Sequence, residues 1–81
     1  MDKTEVKQIA RFLSDCHEAV CEWDGTDTML LYLHRLYEVM GQIRGATPNK
    51  SDRDTRFALV LALKQARRLR KQIEERLGMR N

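Results

Sequence analysis

The chain has 81 residues and a net charge of +3, with 15 Lys and Arg against 12 Asp and Glu. That length holds one small domain with one modest core and excludes a multi-domain enzyme. Apolar residues at 42% are too many for a disordered chain, charged residues at 33% are too many for a membrane-embedded one, and one proline with four glycines favours helix, where both residue types are costly.

The first element is predicted over residues 3–23. Val6, Ile9, Leu13, Cys16, Val20 and Trp23 recur three or four apart, which lays them along one stripe of an α-helix. Lys7, Arg11, Asp15, Glu18 and Glu22 fall on the other side and read as solvated charges rather than paired catalytic carboxylates. Asp2 or Thr4 can cap the start. Asp24-Gly25 ends the helix, because glycine accepts the left-handed conformation there. Cys16 and Cys21 point about 140° apart on such a helix, so reduced thiols are expected rather than an intrachain disulfide. Residues 1–8 contain no apolar stretch of the kind a secretory signal needs, which predicts a cytoplasmic protein.

The second element is predicted over residues 27–44, capped by Thr26 or Asp27. Met29, Leu33, Leu36, Met40 and Ile43 form its stripe, with Leu30 and Tyr37 on one flank and Tyr32 and Val39 on the other. Apolar character over half the circumference marks it as the central helix. Gly41 lies inside it at a cost of about 1 kcal/mol against Ala, tolerable where another backbone comes close or where the helix frays toward Gly45. Residues 45–50 form the one extended loop, since Pro48 biases Thr47 away from helical geometry.

The third element is predicted over residues 52–77, capped by Ser51 or Asp52 and stopped by Gly78. Its core stripe is Leu59, Ala62, Leu63, Ala66, Leu69, Ile73 and Leu77. The expected architecture is all-α: one domain over residues 1–81, a small three-helix up-down-up bundle or a long helical hairpin with an additional helix. So small a core predicts dimerisation as a way to bury more surface.

Phe57 to Leu63 is apolar around the whole helix, and Phe57, Val60 and Leu61 project away from the core stripe. They form a candidate protein interface unless both neighbouring helices cover that segment. Trp23, on the flank of the first helix, is a further interface candidate, with a lid over the core as the plainer role. Charge is unevenly placed: residues 1–25 carry six acids and three bases, whereas residues 51–81 carry four acids and nine bases. Arg53, Arg56, Lys64, Arg67, Arg68 and Lys71 project within about 60° of one line, a positive ridge for phosphates or an acidic partner. Glu74 and Glu75 interrupt it and can pair with Arg70 and Lys71.

Nucleic-acid recognition normally adds a helix presented by a tight turn, or aromatics that stack on bases, and neither is evident. His17 and Cys21, four apart, could share one face as metal ligands, but His34 is the other histidine and no second ligand pair accompanies them, so no metal is expected. As a thiol–imidazole couple they lack oxyanion donors and a cleft. The sequence therefore predicts no catalysis and no cofactor. The expected function is a small protein-binding regulator or inhibitor, of a kind common in bacteria and phages, that covers a partner's surface, as a homodimer. A nucleic-acid-binding regulator using the basic face of the third helix is the alternative.

Overall fold

Each predicted stripe folds into a helix: α1 (Lys3–Glu22), α2 (Thr26–Ala46) and α3 (Arg53–Leu77). The structure, a computed structural model, describes residues 3–23, 25–46 and 53–78. The caps expected of Asp2, Ser51 and Asp52, the turn residue Asp24 and the loop at 47–50 lie outside the described residues. No helix among the described residues is long and apolar enough to cross a membrane.

The three stripes meet in one core of Ile9, Leu13, Cys16, Ala19 and Val20 from α1, Met29, Leu33, Leu36, Val39, Met40 and Ile43 from α2, and Leu59, Ala66, Leu69 and Ile73 from α3. Val6, Phe12, Trp23, Tyr32, Ala62, Leu63 and Leu77 pack against its edge, half-buried. Two ring contacts join the helices. Phe12 of α1 stacks on Tyr32 of α2 with ring centroids 6.0 Å apart, and the Arg76 guanidinium of α3 lies 4.2 Å over the Trp23 ring at the end of α1. α1 ends at Glu22 and α2 begins at Thr26, a connection so short that the two run antiparallel, and the Arg76 contact brings the C-terminal ends of α1 and α3 together.

Four local expectations are corrected. α3, not α2, is the central helix: it lies against both partners, while α1 and α2 meet sparsely. Thr4 lies inside α1 and does not cap it. The cap of α2 is Gly25, whose carbonyl accepts the first helical bond from the Met29 N–H at 3.1 Å, so Thr26 is already helical. Gly45 and Ala46 continue α2 instead of opening the loop.

The end of α1 also differs from a glycine-only stop. Trp23 itself adopts a left-handed φ of 53°, a conformation that costs a non-glycine residue about 1–2 kcal/mol. Its N–H still donates to the Ala19 carbonyl at 2.7 Å, and Gly25 follows with φ 127°. Arg76 stabilises this corner twice, through its cation–π contact with Trp23 and by donating to the Val20 carbonyl at 3.4 Å. α1 has no basic residue in its own last turn; α3 supplies the positive charge that favours a helix C-terminus. Gly78, φ 77°, stops α3 as expected, its N–H donating to the Glu75 carbonyl at 3.2 Å.

Candidate docking surface on the third helix

The molecule measures 38 × 24 × 15 Å, two helix layers deep at ordinary interaxial distances. Three rods packed this way leave each with an outer face. α3 presents its Leu69 and Arg76 side to α1 and its Arg70 and Glu74 side to α2, so both neighbours cover adjacent flanks and neither covers the back.

Phe57, Val60 and Leu61 lie on that back, 66%, 43% and 50% exposed, while Leu59 between them is fully buried. Arg53 and Arg56 precede this apolar patch and Lys64, Arg67, Arg68 and Lys71 follow it, all exposed. Helical periodicity puts the patch on the same line as the six cations. The two surfaces that the sequence distinguishes are one surface, apolar at its centre and positive toward both ends over about 27 Å of helix. Among the described residues none of the six cations is in an ion pair.

A furrow of about 450 Å³ runs beside it, between α3 and α1. Leu61 and Leu69 supply its apolar lining, Lys64, Arg68 and His17 its basic side chains, and Gln65 and Gln72 its amides. Among the described residues no carboxylate lines it. The glutamines escaped sequence analysis because they carry neither charge nor apolar area; only the position of α1 makes them part of a site.

Glu74 departs from its expected place. It is buried rather than interrupting the ridge, faces α2, accepts from the Tyr37 hydroxyl at 2.9 Å and lies 3.5 Å from the Arg70 Nε. Arg70 in turn sits 5.9 Å over the Tyr37 ring. That Nε has no hydrogen bond of its own, so the ion pair works at longer range while the guanidinium stacks. The expected Arg70–Glu74 pairing thus forms, but as a seal between two helices. Of the two glutamates, Glu75 stays exposed near the ridge.

Trp23 is half-buried under Arg76, a lid over the end of the core. Cys16 is fully buried and Cys21 is exposed, both as free thiols. Burial alone pushes the Cys16 thiol up from 9.0 to about 11, which suppresses the reactive thiolate. His34 pairs with Glu38 on α2 at 3.0 Å, far along the chain from His17. Among the described residues no three His, Cys, Asp or Glu side chains converge as a metal site would require.

On α2, Leu30, Leu31 and Tyr37 are also exposed, Leu31 most of all at 72%. Leu31 borders a shallow apolar hollow of about 180 Å³ with Phe12, Tyr32 and Arg35. Leu31 has no place in the predicted stripe or its flanks.

No protein-family model matches this chain, nor does any curated protein or solved structure.

Proposed function

We propose that this chain is a non-enzymatic protein-binding module, a small regulator or inhibitor that occludes a site on a larger partner with the outer face of α3. The observation that carries the proposal is the exposure of Phe57, Val60 and Leu61 at the centre of a face whose ends are positive. Apolar side chains at the middle of a patch supply affinity once water is excluded. The charged ends set orientation and encounter rate. Docking of this kind needs no chemistry at the site.

A homodimer belongs to the same proposal, under a constraint. Two copies meeting α3 to α3 would set six cations against six, and like charges juxtaposed in an interface cost several kcal/mol. The charge pattern therefore favours an acidic partner over a second copy at this face. Nucleic acid is the second reading, favoured by the continuity of the exposed cations along one helix face. Three large apolar side chains in the middle of that face weigh against it, since phosphates gain nothing from them.

The test is an affinity pull-down from the source organism, with mass spectrometry and nucleic-acid detection on the same eluate, comparing wild type with Phe57→Asp/Val60→Lys. A protein lost with the double variant and retained at moderate salt supports the proposal. Retention by the double variant refutes it, and nucleic acid released steeply by salt supports the alternative. Light scattering of wild type decides the oligomeric state.

A further inference from the structure

We propose that the furrow between α1 and α3 receives an acidic amphipathic helix of the partner, one apolar residue resting against Leu61 and two carboxylates reaching Lys64 and Arg68. The inference rests on the docking proposal and gives that partner a chemistry. Leu61 carries the connection, because it belongs both to the exposed patch on the back of α3 and to the furrow lining. A helix seated there lies against the apolar patch and the furrow together.

Charge selects the occupant. Lys64 and Arg68 point positive charge into a furrow with no carboxylate among its described lining residues, and neither has an ion-pair partner among the described residues. The amides of Gln65 and Gln72 can donate to the same carboxylates. A volume of about 450 Å³ holds a few side chains rather than a whole helix, so the segment lies along the furrow and inserts one face. The described residues contain no strand and hence no open edge for β-augmentation, while an apolar patch continuous with a furrow suits helix-in-groove docking.

Spacing then specifies a pattern. Leu61, Lys64 and Arg68 succeed one another by three and four residues along α3. An aligned helix matches them with an apolar residue followed by acidic residues three and seven positions on, read in either direction.

The experiment selects binders to the full chain from a displayed library of random 20-residue peptides and maps the winners by amide chemical shifts. Acidic peptides with that spacing, shifting His17, Leu61, Gln65 and Gln72, are expected. The exposed double variant Lys64→Glu/Arg68→Glu, checked for unchanged helicity and melting, should weaken them about 10-fold or more, and peptides with Lys in place of the two acids should bind that variant instead. Winners without the acidic spacing, shifts clustered elsewhere, or affinity indifferent to the charge reversal would overturn the proposal. So would a 20-base-pair duplex that shifts the furrow residues where no peptide does. The two proposals fail separately: a natural partner lost with Phe57→Asp/Val60→Lys but kept by the charge-reversal variant removes the furrow alone, whereas one kept by both removes the docking face as well.

Discussion

Leu59 and its neighbours Phe57 and Val60 give opposite answers to the same kind of perturbation, and the contrast tests whether the patch is a free surface. Leu59 is fully buried in the core. Leu59→Ala removes transfer energy and leaves a cavity, costing about 2–5 kcal/mol. An 81-residue chain has roughly 4–12 kcal/mol of stability at the usual 0.05–0.15 kcal/mol per residue, so this one change removes a large fraction. At about 4–8 °C per kcal/mol for a domain of this size, the melting point falls by at least about 8 °C. Phe57→Asp/Val60→Lys alters side chains 66% and 43% exposed, and exposed substitutions usually stay within about 0.5 kcal/mol. Helix propensity hardly changes, since Asp ranks near Phe and Lys above Val. The assay is thermal and urea denaturation followed by circular dichroism and by the fluorescence of Trp23, the single tryptophan, at two protein concentrations. A double variant destabilised by about 2 kcal/mol or more at both concentrations would show that the patch is buried within one chain and refute the argument. A loss that grows on dilution of wild type would point to self-association through it.

Three further outcomes are expected. Gly41→Ala should stabilise the protein by about 1 kcal/mol in urea titrations, because Gly41 is helical, a Cβ there meets nothing within 4 Å and no close approach needs the glycine; destabilisation would mean that something packs on that spot. Arg76→Ala should cost about 1–2 kcal/mol, from the lost cation–π contact and helix-end charge together, with Arg76→Lys intermediate; a change below about 0.5 kcal/mol would deny that Arg76 holds the left-handed corner at Trp23. Native-state alkylation should modify Cys21 and spare Cys16 until unfolding, read by intact mass. With the Cys16 thiol at about 11 in the folded chain against 9.0 when exposed, the unfolded state loses its proton first. The Cys16 contribution to stability therefore declines as pH rises from about 9 to 11, and Cys16→Ala should remove that part of the pH dependence.

The residues themselves determined the three helices and nearly all of the core, because spacings of three and four apply wherever a helix buries one side. Every stripe residue of α2 is buried, and Gly78 stops α3 through a conformation that glycine alone adopts freely. The outward projection of Phe57 and Val60 was legible for the same reason: angle around a helix is a property of the sequence. Which helix is central was not. Half-apolar α2 looked central, yet part of its apolar area, Leu30 and Leu31, faces outward, because hydrophobicity does not state which neighbour will cover it. Tertiary packing alone decided that α3 touches both partners, that Glu74 turns inward to Tyr37, that Arg76 crosses to the end of α1, and that His17 and two glutamines join Lys64 and Arg68 along one furrow. Each of these joins residues from different helices, whose relative rotation and offset are set by how whole surfaces interlock rather than by any local pattern.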